Sequence, residues 1–427
     1  MADRPPAALR VGCDDDRVDR QSIRGLRGQP GYPVFISAAT LARVADEMFS
    51  VGVVLLVLDR TGSPALAGAT VAAVTLPSLI TGPLLGAWMD LTGRRRSLMV
   101  WDQLAIATSV LGILLLAGNV PDAVVPLIAL LAGLTYPLSF GGFTSLIPVL
   151  VPGRLLTPAN ALEASSFNLA LVVGPALAGT LAAVFGPEAS LAVEIALTLL
   201  ALCLILAIPG LDRPVAAVDA RESVWAVARS GLTLLVTVPQ LRGVTAAGML
   251  GLAGLGVLTV GFPIFAVEHL GAERSAAGYL WAAFALGSML GALLLVRLQH
   301  RWRPEAIVVG ALATFGVLML SWPLQVALLP MMAVVALAGL ADGPGLAATF
   351  AARQRYVPAE LMGQVFTTGA GLKVGAFALG SAVSGPLVLA AGSAGALLVA
   401  AAMQFVAAAT GMLLMRAGGR EPAAAVR

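Results

Sequence analysis

Between residues 33 and 415 the chain contains twelve predominantly apolar runs of 18 to 28 residues. A bilayer core about 30 Å thick is crossed by about 20 such residues in a helix. No water is available there for backbone N–H and C=O groups, so a spanning segment must be a helix or part of a closed barrel. Continuous runs of this length, without period-two alternation, select helices. The expected spans are 33–58, 65–89, 97–118, 123–147, 160–185, 189–209, 243–267, 275–296, 305–322, 326–350, 364–391 and 394–415, the ninth and tenth meeting at "SWPLQVALLP". Charged residues make up 11% of the chain and mean hydropathy is +0.92, against about 25% charge in soluble domains. The chain is therefore read as an all-α integral membrane protein whose first partner is the bilayer.

An even number of spans puts both termini on one side. If that side is cytoplasmic, 22 of the 26 Lys and Arg fall on it, including Arg94 to Arg96, Arg353 and Arg355. Such a bias follows the positive-inside rule and gives a multi-pass protein with both ends in the cytoplasm. The charged leader 1–32 reads as a disordered cytoplasmic tail with no cleavable signal, and 416–427 as a second tail. Residues 210–242 form the longest polar connection, between six spans at 33–209 and six at 243–415. They contain "DARESVWAVARSGLTLLV", either a plain tether or an amphipathic helix on the membrane face. "GAWMDLTGRRRS" from Gly86 matches "GALLLVRLQHRW" from Gly291 at an offset of 205, and "GPALAG" matches "SAVSG" ending at Gly385 at 206. Similar offsets predict two pseudo-symmetric halves.

Other chemistries find no support. The net charge of +3 is spread over short loops, which excludes a nucleic-acid surface. Cys13 and Cys203 are too far apart for a disulfide framework, and His269 and His300 lack metal-ligand spacing. No nucleophile–base set or phosphate-binding G-x-x-x-x-G-K-[ST] motif appears, so no enzyme activity, metal or cofactor is expected.

The first span carries "TLARVADEMFS", which places Arg43, Asp46 and Glu47 among apolar residues. Were these charges at the interface, only Met48 to Leu58 would remain, about 16 Å of helix. The span must therefore reach back to Val34, leaving Glu47 near the midplane, where a charge costs about 2.5–3.5 kcal/mol. Thr40, Arg43, Glu47 and Ser50 share one stripe with Asp46 beside it. Arg43 reaches Asp46 at i+3 and Glu47 at i+4. Pairing with one acid leaves the other as a surplus carboxyl able to carry a proton; the spacing leaves open which.

"GPLLGAWMDLTGRRRSL", Gly82 to Leu98, combines a small-residue face (Gly82, Gly86), an acid, a glycine turn and three arginines. Gly86, Asp90, Gly93, Arg94, Arg95 and Arg96 resemble the cytoplasmic-loop signature G-x-x-x-D-x-x-G-R-R/K of the major facilitator superfamily. The resemblance extends to the plan of six plus six spans. It implies the facilitator fold, two six-helix bundles rocking about a central site, with Asp90 and Arg94 holding the inner gate. The second-half copy has Leu295 in place of the acid, which predicts an asymmetric network.

"NLALVVGPALAG", Asn168 to Gly179, is similar to the fifth-span motif of the superfamily's exporters, with Gly174, Pro175 and Gly179 matching. It reads as a helix-packing feature in which Pro175 bends the span. "LTPANALEASSFN" and "LDRTGSPALAG" resemble bacterial exporters of macrolide and siderophore type, and Ser63-Pro64 makes a good helix start. The fourth span lacks the arginine common in drug–proton antiporters.

By the same resemblance Arg43, Asp46, Glu47, Asp342 and Lys373, the chain's single lysine, meet at the central cavity. An Asp342–Lys373 bridge is the structural alternative. Asp102, Glu163 and Glu194 are read as interfacial or packing charges. The resemblance implies a monomeric secondary transporter of the bacterial plasma membrane exporting a small amphipathic compound, with protons as the coupling partner. Uptake or facilitated diffusion on the same fold is the alternative, and a transporter-like sensor or scaffold a remote one.

Overall fold

The structure is a computed structural model and describes residues 25–211, 223–272, 276–296 and 301–416. The leader to residue 24, the 212–222 part of the connection and the tail from 417 lie outside the described residues.

Among the described residues ten helices are long and apolar enough to cross a membrane. The last of them turns at Gly392 (φ 74°, ψ 170°) and crosses twice. A further helix, Tyr32–Thr61, has 30 residues and is as apolar as several of these, but is set apart by its charges Arg43, Asp46, Glu47, Asp59 and Arg60. Twelve crossings result. They are α1 (Tyr32–Thr61), α2 (Pro64–Thr75 and Ser78–Thr92) and α3 (Arg95–Leu116). Next come α4 (Val124–Thr135 and Phe143–Leu150), α5 (Leu156–Phe185) and α6 (Pro187–Ala207). The second half has α7 (Pro239–Glu268), α8 (Ala276–Leu294), α9 (Pro304–Met319) and α10 (Leu328–Tyr356). The helix Met362–Arg416 supplies α11 before Gly392 and α12 after it.

Local chemistry sets the ends and breaks. Gly62 closes α1 in the left-handed region (φ 62°), a conformation glycine adopts without strain. Ser63 Oγ then accepts from Leu66 N at 3.2 Å and Pro64 follows at the first helical position, as the sequence predicted. Pro77 lacks the N–H that would continue the ladder and interrupts α2. After Pro137, α4 widens into one π-helical turn, Leu138–Gly142, which brings Gly141 against the α11 backbone at Phe366 and Thr367.

The polar connection is more than a tether. Residues Val224–Thr237 form a helix, capped by Ser223 Oγ accepting from Ala226 N at 3.2 Å. Its Val227 and Ala228 pack on Leu84, Ala87 and Leu91 of α2, while Ala228 O accepts from Gln364 Nε2 of α11. This connecting helix therefore touches both halves.

Each half has its own packing, α1 against α5 and α6 in the first, α7 against α11 and α8 against α10 in the second. The halves meet where α2 faces α11 and where α5 faces α8 and α10.

Candidate functional site

Where the halves meet, one set of contacts lies on the side where α1 begins, α2 ends and α11 begins. Asp90, at the end of α2, is 9% exposed. Its Oδ1 accepts from Gly363 N at 3.0 Å and its Oδ2 from Gln364 N at 2.8 Å. A carboxylate of one half thus caps the first turn of a helix in the other, satisfying two amides that a helix N-terminus leaves unpaired. Below it the small-residue face does its expected work. A side chain at Gly86 would collide with the Gln364 backbone and Thr367, and one at Gly82 with the Thr367 carbonyl. Thr367 Oγ1 also donates to Gly82 O at 2.6 Å.

The arginine assignment needs correction. Arg94 is exposed, and its backbone forms the entry to α3. It is Arg95, 3% exposed, that lies within electrostatic reach of Asp90. Gly93 (φ 62°) ends α2 and turns the chain so that the second arginine, not the first, faces inward. Arg96 donates to Leu206 O at 3.1 Å and Ile208 O at 2.6 Å, tying down the carbonyl end of α6. On the other side of the interface, among the described residues, no acid repeats the Asp90 cap: Asn160 and Gln354 exchange amide hydrogen bonds at 2.8 and 2.9 Å. The described contacts on the two sides of the interface therefore differ, a carboxylate cap on one and an amide pair on the other.

The membrane charges do not converge on one point; they form three groups. In the first, Arg43 pairs with neither Asp46 nor Glu47. Its guanidinium grips Glu163 of α5 (Nη2 to Oε1 at 2.5 Å, Nη1 to Oε2 at 3.1 Å) and donates to Ser166 Oγ at 2.9 Å. Thr144 Oγ1 donates to Glu163 Oε1 at 2.6 Å, and Phe167 lies 3.9 Å beneath the guanidinium carbon. Both ions are fully buried. A bidentate fork from a neighbouring helix satisfies arginine's planar geometry better than a carboxylate one turn along the same helix. Glu163, expected as an interfacial or packing charge, packs inside, α5 beginning at Leu156, a turn earlier than expected.

The second group lies among α1, α3, α4 and α6. Asp46 is 6% exposed, and Asp102 and Glu194 are 0% exposed. Ser139 Oγ donates to Asp102 Oδ2 at 2.8 Å and also lies beside Asp46. Gln103 Nε2 donates to Asp102 at 3.0 Å. Both oxygens of Glu194, Asp46 Oδ2 and Asp102 Oδ1 have no hydrogen-bond partner. Asp102 and Glu194 each lie within electrostatic reach of Asp46. Of the interfacial or packing roles expected for these two, burial leaves the packing one; the i, i+4 stripe Ser190, Glu194, Thr198 marked a polar face in α6. Glu47 is half-buried, its Cβ against Gly174 of α5. Ser50, the last of its stripe, lies outside the described side chains.

The third group belongs to the second half. Asp342 accepts from Ser288 Oγ at 3.2 Å. Lys373 is half-buried, its Cε 3.0 Å from the position of a Cβ on Gly248. No salt bridge within 4.0 Å joins Lys373 to Asp342, although each feels the other's charge. Arg353, counted in the sequence as a loop charge, is 2% exposed because α10 continues to Tyr356.

Gly174 justifies its place in the exporter-like motif, since a side chain there would meet Val44 O and Glu47 Cβ of α1. Gly179 does not: nothing lies within 4 Å of its would-be Cβ, and buried Ala178 makes the contact instead. Their counterparts at offset 206 behave alike, Gly380 pressing on Ala253 of α7 and Gly385 facing open space. Gly174→Val is expected to lower the thermal midpoint of the detergent-solubilised protein by several degrees and Gly179→Ala to leave it unchanged. Equal midpoints would mean that α1 and α5 do not need this close approach.

The model of the Major Facilitator Superfamily matches residues 35–368. The MFS-type transporter y4rN of Sinorhizobium fredii is 32% identical over 87% of this chain and 92% of its own length. The multidrug efflux pump Tap of Mycolicibacterium fortuitum is 29% identical over 84% and 89%. Among solved structures, an outward-facing bacterial homologue of the iron transporter ferroportin superposes with a TM-score of 0.69 at 16% identity, covering 90% of this chain and 98% of that one. The chain is a multi-pass membrane transporter belonging to the Major Facilitator Superfamily.

Proposed function

We propose that the protein is a proton-coupled exporter of small amphipathic compounds in the bacterial plasma membrane, with both termini cytoplasmic, working as a monomer by alternating access. The bias of Lys and Arg toward the termini side supports that orientation. The contacts of Asp90, Gly86, Asn160 and Gln354 then close the cytoplasmic side, as in an outward-facing state. The similarity to the efflux pump Tap supports export.

One observation carries the coupling. Asp46, Asp102 and Glu194 are buried with unpartnered carboxyl oxygens, and the nearest base, Arg43, is committed to Glu163. Three uncompensated anions inside a bilayer are too costly to keep, so the group holds protons in at least part of the cycle. A cycle that alternately exposes it to the two sides returns protons as substrate leaves. In everted vesicles, uptake of a fluorescent lipophilic dye driven by a proton gradient is expected to collapse with an uncoupler and to fall at least tenfold in Asp46→Asn or Glu194→Gln. Undiminished, uncoupler-sensitive transport in both variants would remove the group from the proton path.

A further inference from the structure

Arg353 is a buried charged group of the second half that the proton path does not use. Its Cα lies only three residues before the end of α10, yet its guanidinium does not turn outward to water. It presses against Gly369 of α11, where a Cβ would overlap it, and faces the Phe366 ring at 5.5 Å from the centroid. Gly369 lies seven residues inside α11, about 10 Å from that helix's start. Nε and Nη2 are buried with no hydrogen-bond partner, and no carboxylate among the described residues pairs with the side chain. A buried guanidinium without an anion is strongly disfavoured unless an anion completes it in use.

The surroundings say what kind of anion. Phe366, Gly369 and Lys373 follow i, i+3, i+7 and share one face of α11. Asp342 and Arg353, eleven residues apart, share one face of α10 after three turns. Lys373 stands between them, within electrostatic reach of both. Two cations therefore face one acid, and that acid is held by Ser288 at the far end of the row. Phe366, Phe350 and Phe167, with centroids 5.8–6.2 Å apart, are packed on one another here and would offer an apolar platform beside the guanidinium once the halves part at Phe167–Phe350. A planar fork beside aromatic rings matches a carboxylate on an aromatic body.

We propose that Arg353 and Lys373 form an anion-binding site in the second half, taking the carboxylate of an amphipathic aromatic acid whose body lies on the Phe366–Phe350 platform. The site names the substrate class of the transporter and rests on that reading, with the negative group held in the second half and the proton-carrying acids in the first.

Three probes of one shape and different charge test it by calorimetry on the full chain in lipid nanodiscs: 2-naphthoate, 2-naphthylmethanol and 2-naphthylmethylammonium. Naphthoate is expected to bind at least tenfold more tightly than the other two. Arg353→Gln and Lys373→Gln should each weaken naphthoate at least tenfold, and Arg355→Gln, an exposed neighbour, should not. Asp342→Asn, by removing the one opposing charge, should tighten it. Equal affinity for the three probes, or naphthoate binding that Lys373→Gln and a folded Arg353→Gln leave intact, would overturn the site. Should Arg353→Gln not fold, the Lys373 and Asp342 variants decide. Equilibrium binding is independent of direction and coupling, so intact naphthoate binding with failed vesicle export would overturn the export reading alone.

Discussion

Arg43→Ala is expected to destabilise the protein by about 3–5 kcal/mol, the cost of leaving one member of a buried ion pair alone. Glu163 would then sit fully buried, held only by Thr144 Oγ1. That hydroxyl also donates to Phe140 O at 2.9 Å and cannot fully serve both acceptors. The energy corresponds to about a hundredfold or more in a folded-to-unfolded ratio. Most of it should return in Arg43→Met/Glu163→Leu, which removes both charges and keeps the apolar volume beside Phe143 and Phe167. The measurement is the fraction of detergent-solubilised protein that remains monodisperse after a temperature series. A single variant as stable as the parent, or a double variant no better than the single, would show that the pair does not support the first half.

Asp90→Ala is expected to open the termini side. It strips the caps from Gly363 N and Gln364 N, and each buried donor left without an acceptor costs about 1–3 kcal/mol. The open form, where water reaches these amides, bears no such cost. The closed population should fall at least tenfold relative to the open one. Asp90→Asn keeps one acceptor oxygen and should lie between alanine and parent, since asparagine caps nearly as well as aspartate. Spin labels on the exposed ends of α2 and α11 report the change as a shift toward longer distances. An unchanged distance distribution in Asp90→Ala would show that the Gly82–Gly86 face, and not the cap, holds the halves together.

Much of the fold was legible because membrane length, span count and loop charge are properties of continuous sequence. The cap at Ser63 and the close packing at Gly82 and Gly86 followed from residues and spacing. Pairings across helices did not. Arg43 has two acids within a turn on its own helix and takes Glu163 from α5, because guanidinium forks favour a carboxylate presented end-on. Arg94 and Arg95 differ only in how Gly93 turns the chain, which a string of three arginines does not reveal. Arg353 was hidden by an error of six residues in the end of α10. A polar periodicity that ran past the expected boundary, Asp342 to Arg353 over three turns, was its signal. The connecting helix was visible as an option, and Gln364 reaching Ala228 is what makes it part of the closed interface.

The four rings Phe140, Phe167, Phe350 and Phe366 run unbroken from α4 to α11, with successive centroids 5.6, 5.8 and 6.2 Å apart. Arg43 lies over Phe167 and Arg353 over Phe366, so each guanidinium is seated on a ring of its own half. Only the Phe167–Phe350 contact joins the halves within this row. In the proposed alternating-access cycle the row would divide at a purely apolar seam, and neither arginine would surrender its ring. The contact between the halves at this level could thus be made and unmade as a greasy plug, with each guanidinium kept on its own ring.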